Sequence, residues 1–410
     1  MSGVSAEARI AWNPAARRFE APGTTRSQVA GPGGGGREWA GIPDAARLRR
    51  ILAEEVPETV EAIRAAAEET LLRQCGDGVR LRGLIEFSNR CVCDCHYCGI
   101  RRSNRRVGRY TLTLDDVVAS ARWCAAKGYG SVVLQAGERR DARFVDFVEE
   151  AVRRIKAATR SPQQPLGLGI TLCVGEQAED AYVRWFRAGA HRYLLRMESF
   201  SPQLFARLHP PEQTFEGRLA CLGTLRRIGY QVGTGVMIGL PGQTLDDLVA
   251  DLQAFRDLDV DMLGMGPYIP HTDAPLRQLG PILPADHRLQ LALRMIAAAR
   301  LLLPRVNIAA TTALQALAPD GREQGLRFGA NVIMPQVTPP RVRKMYTLYE
   351  GKPCLDDNAE QCAGCVEGRI RSVGRRVQWN EWGDSLHYRW RTQAAPEQGE
   401  GAAARIPVRT

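Results

Sequence analysis

Four cysteines crowd into one octapeptide, Cys91-Val-Cys-Asp-Cys-His-Tyr-Cys98, and three of them have the spacing C-x3-C-x2-C. Three thiolates on a short loop, here Cys91, Cys95 and Cys98, can bind three irons of a [4Fe–4S] cubane and leave the fourth iron without a protein ligand. An open iron can chelate the amino and carboxylate groups of S-adenosylmethionine (SAM) and pass an electron to its sulfonium, which releases methionine and a 5′-deoxyadenosyl radical. The spacing therefore predicts SAM-dependent radical chemistry.

Cys93 leaves a second interpretation open. Cys91-x-Cys93 and Cys95-x-x-Cys98 together offer four thiolates, which is the ligand number of a structural zinc site. The aromatic Tyr97 directly before the last cysteine, and the lack of a matching second zinc knuckle in the sequence, favour the cubane. In a reducing cytosol, clustered cysteines indicate metal rather than disulfides, and Cys93 is then a bystander thiol.

A second group of cysteines, with the spacing C-x7-C-x2-C, lies near the C-terminus at Cys354, Cys362 and Cys365. Three ligands can hold an auxiliary cluster, most simply [2Fe–2S], if the fourth ligand comes from outside the protein. A zinc site or three free thiols are the alternatives.

The cysteine loop lies within a regular alternation of short apolar runs and segments of helical pattern. Parallel strands that are buried on both faces form continuous apolar runs of this kind. Eight such units in about 255 residues match the size of a (β/α)8 TIM-type barrel, and an open doubly wound sheet is the alternative. The predicted strands span residues 82–88, 131–135, 168–172, 192–196, 231–238, 262–265, 307–310 and 331–334.

Barrel enzymes bind their ligands at the C-terminal ends of the strands. The cysteine loop directly follows the first predicted strand, and Gln135-Ala-Gly-Glu138 ends the second. Glu198 follows the fourth strand, and Gly239-Leu-Pro-Gly242 ends the fifth. We therefore expect these segments to converge on one face of the barrel.

The remaining residues divide the 410-residue chain into four parts. Residues 1–45, which contain the run Gly31-Pro-Gly-Gly-Gly-Gly36, are predicted to be a disordered extension. Residues 46–350 form the barrel with N-terminal helices, 351–390 form a C-terminal segment with the auxiliary cysteines, and 391–410 form a loose tail.

Composition excludes several classes of protein. With 44% apolar and 24% charged residues, the chain has the composition of a soluble globular protein. No apolar run of about 18 residues and no signal peptide are present, which predicts a cytoplasmic protein without a membrane partner. The net charge of +10 comes mostly from scattered arginines without any nucleic-acid-reading motif, so we expect no nucleic-acid partner.

Several longer motifs resemble the HydE family, the radical SAM maturases of [FeFe]-hydrogenase. They include Cys95-His-Tyr-Cys-Gly-Ile-Arg-Arg-Ser-Asn104, Val133-Leu-Gln-Ala-Gly-Glu138, Gly266-Pro-Tyr-Ile-Pro-His271 and Tyr349-Glu-Gly-Lys-Pro-Cys354, and the resemblance covers residues 46–380. Biotin synthase and methylornithine synthase share the barrel and the cluster, but the C-terminal cysteines favour HydE. A radical SAM mutase or sulfur-inserting enzyme of amino-acid or vitamin metabolism is the alternative function.

The resemblance implies a reaction. HydE-like enzymes act on a cysteine-bound iron carbonyl cyanide synthon that the partner HydG makes. Attack of the adenosyl radical at the cysteine sulfur leads toward the di-iron precursor of the H-cluster, which is assembled on the scaffold HydF. A ferredoxin or flavodoxin is expected as the reductant. In the family the auxiliary cluster is variable and dispensable.

The resemblance also implies ligand-binding residues. Those expected to bind SAM are Tyr97, Ala136, Gly137, Glu198 and Arg218, and those expected to bind the substrate are Arg196 and Tyr346. Independently of the resemblance, Thr171, Thr311 and Thr312 fall at the ends of predicted strands, where we expect the hydroxyl of Thr171 to bond SAM and those of Thr311 and Thr312 to bond the substrate. The alternative for Arg196 is a buried ion pair with Glu198. Ala136 and Met197 stand where many members have serine and histidine, and because both are expected near the cavity they leave the substrate open.

Overall fold

The computed structural model describes residues 11–13, 18–20, 39, 41–356 and 359–393. Eight parallel strands form its core, and each coincides with one predicted apolar run. They are β1 (Gly78–Ser88), β2 (Ser131–Ala136), β3 (Gly169–Cys173), β4 (Arg192–Leu194), β5 (Gln231–Thr234), β6 (Met262–Leu263), β7 (Asn307–Ile308) and β8 (Val332–Ile333).

The strands form a ring in chain order. Each of β1 to β6 pairs in parallel with the next strand, and β8 returns to pair with β1 through Val332 opposite Arg80. A parallel bridge between Ala309 and Val332 joins the end of β7 to β8. The predicted (β/α)8 barrel is thereby confirmed.

Helices cover the outside of the ring, and most of them bury an apolar face against it, as α4 does with Phe144, Val148 and Ile155. Two of the helices begin with a capping box, in which each of two residues accepts a hydrogen bond at its side chain from the backbone N–H of the other. The pairs are Thr113 with Asp116 and Thr244 with Asp247. The helices are α1 (Ala45–Ala53), α2 (Pro57–Cys75), α3 (Leu114–Ala126), α4 (Ala142–Ala158), α5 (Glu179–Ala188), α6 (Pro202–Leu208), α7 (Phe215–Ile228), α8 (Leu245–Asp257), α9 (Ala285–Leu302), α10 (Thr312–Leu317), α11 (Gly321–Arg327), α12 (Pro340–Arg343), α13 (Ala359–Ser372) and α14 (Leu386–Gln393).

The C-terminal segment closes the N-terminal mouth of the barrel. Its strand Arg376–Gln378 pairs in parallel with the first residues of β1. Beyond it, the Asp384 carboxylate accepts a hydrogen bond of 2.6 Å from Arg192, and the carbonyl of Gly383 accepts bonds from Arg82 and Asn307. Among the described residues, this end of the barrel is covered by the C-terminal segment, and the cysteine loop lies at the opposite, C-terminal mouth.

Predictions for the two ends of the chain lie largely outside the described residues. Within 1–45, the short strands Ala11–Asn13 and Arg18–Glu20 pair antiparallel, and α1 begins at Ala45. The helix α14 crosses the predicted boundary at residue 391 and is described to Gln393. No helix in the described part of the chain is both long and apolar enough to span a membrane.

Candidate active site

The loop after β1 is held in shape by Arg109. Its guanidinium donates hydrogen bonds of 2.6 to 3.0 Å to four backbone carbonyls, those of Asn89, Ile100, Arg101 and Asn104. A planar fork with five N–H donors suits this task, which a lysine could not perform. One side chain thus satisfies the carbonyls of an irregular loop that carries all four clustered cysteines.

The thiols of Cys91, Cys95 and Cys98 are half-buried and line one cavity at the C-terminal mouth. Burial raises the pKa of Cys98, and the neighbouring Cys95 and Cys91 add to this increase. Cys95 donates a hydrogen bond of 3.2 Å to Gln213 from the loop before α7. Three soft sulfur donors from one tight loop, facing a shared space, fit the three-ligand cubane that the spacing predicts.

Cys93 lies closer to this group than a bystander would. Its buried thiol is hydrogen-bonded to the thiols of Cys91 and Cys95, which together with burial raises the pKa of Cys93. The same hydrogen bond lowers the pKa of Cys91. Among the residues that the structure describes, no three His, Cys, Asp or Glu side chains have the arrangement of ligands around one ion. The four thiols therefore adjoin one another without a preformed tetrahedral zinc site.

Gly137 forms the part of the cavity wall that lies directly against the cysteine loop. A Cβ atom at this position would lie 2.5 Å from the carbonyl oxygen of Arg90 and 2.9 Å from the Cβ of Cys91. The amide of Val92 also donates to the carbonyl of Glu138 at 2.9 Å. The end of β2 and the cysteine loop are thus in direct backbone contact, which only glycine allows.

Glu198 enters the cavity from the loop after β4 in an unusual backbone conformation. Its φ angle is 67°, in the left-handed region that non-glycine residues rarely adopt. The conformation is fixed because its N–H donates to Gly235 and its carbonyl accepts from Met237, both at 3.0 Å. Its carboxylate accepts a hydrogen bond of 3.1 Å from Nε of Arg196. Burial disfavours the charge of Arg196, but Glu198 and other neighbours outweigh it and raise the pKa of the guanidinium.

Arg218 from α7 contributes a buried positive charge beside the cysteines. Its Nε donates to Glu176 at 2.8 Å, and Nη1 lies 3.0 Å from Nε2 of His209. Burial and the adjacent Arg218 both lower the pKa of His209, so its ring is neutral and accepts at Nε2. Its other nitrogen, Nδ1, donates to the carbonyl of Phe205 at 3.0 Å. The edge-on ring of Tyr97, with centroids 5.6 Å apart, completes this cluster.

Comparison with known proteins agrees with this geometry. A family model described as the radical SAM superfamily matches residues 85–255. The [FeFe] hydrogenase maturase subunit HydE of Thermotoga maritima is 43% identical over 324 residues, which are 79% of this chain and 88% of that protein. The chain belongs to the HydE family of radical SAM maturases. It is thus a radical SAM enzyme of hydrogenase maturation, and this family uses a [4Fe–4S] cluster and SAM.

Two further relatives share the fold with this HydE-family chain. The 3-methylornithine synthase of Methanosarcina barkeri is 25% identical over 331 residues, covering 81% of this chain and 87% of the relative. A crystal structure of methylornithine synthase superposes with a TM-score of 0.69 at 22% identity, covering 83% of this chain and 95% of that one. The lower identities make these proteins more distant than the Thermotoga enzyme.

Most of the residues expected to bind SAM and substrate line this cavity. The structure brings Tyr97, Ala136, Gly137, Arg196, Glu198, Arg218 and Tyr346 together around the cysteines. Sequence reasoning missed Glu176, His209 and Gln213. Glu176 follows β3 closely, so the rule that barrel sites lie at strand ends could have found it. No local signal marks His209 or Gln213.

Four residues lie elsewhere. Thr171 is the third residue of β3, and its hydroxyl accepts from Arg192 at 3.0 Å in the lower barrel interior. Thr311 and Thr312 begin α10 at the C-terminal mouth, outside the cavity lining, and Thr312 bonds the hydroxyl of Tyr349 at 2.7 Å. Met197 lies between two cavity-lining neighbours, but its own side chain is fully buried in the hydrophobic core and does not line the cavity.

The second group of cysteines lies outside the barrel mouth. A hydrogen bond between the thiols of Cys354 and Cys362 is the main cause that raises the pKa of Cys362, so these two are adjacent. Cys365 is exposed one turn further along α13, where Arg369 donates to its sulfur at 3.1 Å. Arg322 approaches the sulfur of Cys354 at 3.7 Å. Cys354 and Cys365 thus each have an arginine side chain beside their sulfur.

Proposed function

We propose that this enzyme uses Cys91, Cys95 and Cys98 to hold a [4Fe–4S] cluster and acts on a cysteine-bound iron carbonyl cyanide complex during H-cluster assembly. A bound cluster of this kind supplies an electron to the sulfonium of SAM and so generates a 5′-deoxyadenosyl radical. The proposal is supported above all by the shared cavity, in which a free guanidinium edge faces the same space as the three thiols.

Arg196 provides that edge. Its side chain is 32% exposed, and Glu198 takes only the Nε–H. Among the described residues, no hydrogen-bond acceptor for Nη1 or Nη2 of Arg196 is recorded, so both terminal nitrogens remain available to a ligand. Such a fork binds a carboxylate in a bidentate manner. We assign it to the carboxylate of the substrate cysteine, with Tyr346 packed on the other side of the cavity.

SAM would be held in the part of the cavity beside the cluster loop. There Glu198 would accept hydrogen bonds from it, and the buried charge of Arg218 would compensate its carboxylate. Tyr97, Ala136 and Gly137 shape the pocket for the rest of the molecule. The apolar side chains of Ile100, Leu194, Leu195 and Leu348 line the same cavity and exclude water from a reactive radical.

The decisive experiment is anaerobic incubation of the reconstituted, reduced protein with SAM and the product of a HydG-type enzyme. We expect mass spectrometry to detect deoxyadenosine linked to the cysteine sulfur, or products that derive from this adduct. Arg196→Met should retain SAM binding but lose the adduct, whereas Arg143→Met, at an exposed position on α4, should retain both. SAM cleavage that requires an amino acid or a vitamin precursor instead would identify a mutase or a sulfur-inserting enzyme.

Partners follow from this function. A HydG-like maturase supplies the substrate, and a HydF-like scaffold receives the product. A ferredoxin or flavodoxin provides the electrons. The thiol-rich, cluster-dependent site requires a reducing compartment, so we place the enzyme in the cytoplasm.

An auxiliary [2Fe–2S] cluster on Cys354, Cys362 and Cys365 belongs to the same proposal. The triple variant C354A/C362A/C365A should lose part of the iron and retain the SAM-responsive cubane signal in electron paramagnetic resonance (EPR). The matched variant C91A/C95A/C98A should lose the cubane signal. Equal iron content in the first variant and the wild type would exclude the auxiliary cluster.

A further inference from the structure

The outer surface of the cysteine loop carries a dense positive charge. Between residues 90 and 109 there are six arginines and only one acidic residue, Asp94. A like-charged surface of this kind is costly to maintain, since close cations repel one another. Where such a charge does not stabilise the fold, it indicates an anionic partner.

Three of the six arginines stabilise the loop itself. Arg109 binds four carbonyls of the loop from within. Arg101 forms a bidentate pair with Asp94 at 2.8 Å, and Arg106 pairs with Asp273 at 2.8 Å. The structural requirements of the loop are met by these three.

The other three arginines, Arg90, Arg102 and Arg105, are exposed. In the part of the chain that the structure describes, none of their guanidinium groups has a recorded ion pair or hydrogen bond. We call these three residues the arginine patch. Because its charges are unpaired, the patch projects a positive field into solvent, limited only by salt screening.

The arginine patch is attached directly to the cluster cysteines. Arg90 precedes Cys91 in the chain, and the backbone amide of Arg102 donates to the carbonyl of Cys93 at 2.8 Å. Val92, between Cys91 and Cys93, is 47% exposed, which is unusual for a valine next to a buried site. An exposed apolar residue close in the chain to the unpaired Arg90, and joined through Cys93 to the backbone of Arg102, has the character of a small protein-docking surface.

We propose that the arginine patch, with Val92 among its residues, docks an acidic one-electron carrier protein and is the entry point for electrons to the cluster. This inference rests on the proposed assignment of the cluster to Cys91, Cys95 and Cys98. In the step itself, the cofactor of the carrier is oxidised by one electron and the cluster is reduced by one electron, without transfer of a proton or a group. The other mouth of the barrel is closed by the C-terminal segment, so this face offers the short path.

The test compares the wild type with the charge-reversal variant R90E/R102E/R105E. The probe is a reduced, acidic two-cluster ferredoxin, and dithionite serves as a small reductant that needs no docking surface. We expect the second-order rate of cluster reduction by ferredoxin, followed by stopped-flow spectroscopy at low salt, to fall at least tenfold. The wild-type rate should decrease with ionic strength, and the rate of the variant should depend on it little.

The matched control is R160E/R187E/R327E. These exposed arginines lie at the C-terminal ends of α4, α5 and α11, which places them toward the opposite end of the barrel. Both variants carry the same change in charge, so a general effect of net charge would appear in both. The milder R90Q/R102Q/R105Q reports on the patch if charge reversal disturbs folding.

The outcomes separate the inference from the function on which it depends. Normal SAM cleavage with dithionite, together with a selective loss with ferredoxin, supports the patch as the docking site. An equal loss of the ferredoxin-dependent reduction rate in the patch variant and in the control variant would overturn the inference. It would also be overturned if the patch variant were reduced by ferredoxin at the wild-type rate and instead delivered less product to a scaffold protein. Failure of SAM cleavage with dithionite in the wild type would instead refute the proposed function.

Discussion

The carboxylate of Glu198 lies 3.1 Å from Nε of Arg196, and the two residues reach this contact from a backbone in which Glu198 is left-handed, with a φ of 67°. The sequence left two alternatives for Arg196, an ion pair with Glu198 and binding of the substrate carboxylate. This geometry is compatible with both. Nε pairs with the carboxylate, while Nη1 and Nη2 have no hydrogen-bond partner among the described residues and Arg196 lines the cavity. Conformations of this kind cost roughly 1 to 3 kcal/mol and are concentrated at functional sites.

Replacement of Glu198 by glycine should separate function from stability. Glycine adopts a positive φ without strain, and this gain offsets the loss of the ion pair with the partly exposed Arg196, so the free energy of unfolding of Glu198→Gly should lie within about 1 kcal/mol of that of the wild type. SAM affinity should fall at least tenfold, because a charged hydrogen bond of roughly 1.5 to 3 kcal/mol is lost. Chemical denaturation and the SAM-induced change in the EPR spectrum measure the two effects. Asn380→Gly, at a φ of 58° far from the cavity, should leave SAM binding unchanged.

The contact of Gly137 with the cysteine loop predicts that a single methyl group displaces the loop. In Gly137→Ala the new Cβ would lie 2.5 Å from the carbonyl oxygen of Arg90, so the loop must shift. We expect iron content after reconstitution to fall by more than half. The control is Gly223→Ala in α7, where a Cβ meets nothing within 4 Å and should raise helix stability slightly. Full iron loading of Gly137→Ala would contradict this assignment of the glycine.

A buried ion pair connects the C-terminal segment to β1. Nζ of Lys352 lies 2.6 Å from Glu86, whose other oxygen accepts from Gln336 at 2.7 Å. Lys352→Met leaves the carboxylate buried without its charge partner and should cost about 3 to 5 kcal/mol of unfolding free energy. The double variant E86Q/K352M should recover most of that loss in denaturant titrations. A double variant no more stable than the single one would show that the charge pair is not the cause.

Asp251 in α8 predicts a pH dependence of stability. Burial raises the pKa of its carboxyl to about 8, although the amide of Phe200 donates to it at 2.6 Å. The folded protein therefore keeps a proton that the unfolded chain releases near pH 4. Since the folded pKa is the higher one, the stability from this group is present below about pH 4 and is lost as the pH rises toward 8.

The measurement for Asp251 is the unfolding free energy of the wild type and of Asp251→Asn between pH 5 and pH 8. The wild type should lose a few kcal/mol more than the variant across this range, since asparagine cannot ionise. The comparison uses slopes, so a constant cost of the new amide does not affect it. Parallel curves would show that Asp251 is ionised throughout.

The sequence alone determined the features that depend on local order. Eight apolar runs predicted the eight strands. The C-x3-C-x2-C spacing identified the three cysteines that the structure places around one cavity. These predictions succeed because apolar periodicity and motif spacing are properties of residues that are close in the chain.

Only the tertiary structure decided which distant residues meet. Gln213 bonds Cys95, and Glu176 and His209 bond Arg218 beside it. No local sequence pattern predicts that these residues lie together. Thr171 falls in the lower barrel and Met197 in the core, because one step along a strand or loop reverses the direction of a side chain. The N-terminal mouth is likewise closed by a pair of distant residues, since Asp384 and Arg192 are about 190 residues apart in the chain. Only the folded topology brings these two residues together.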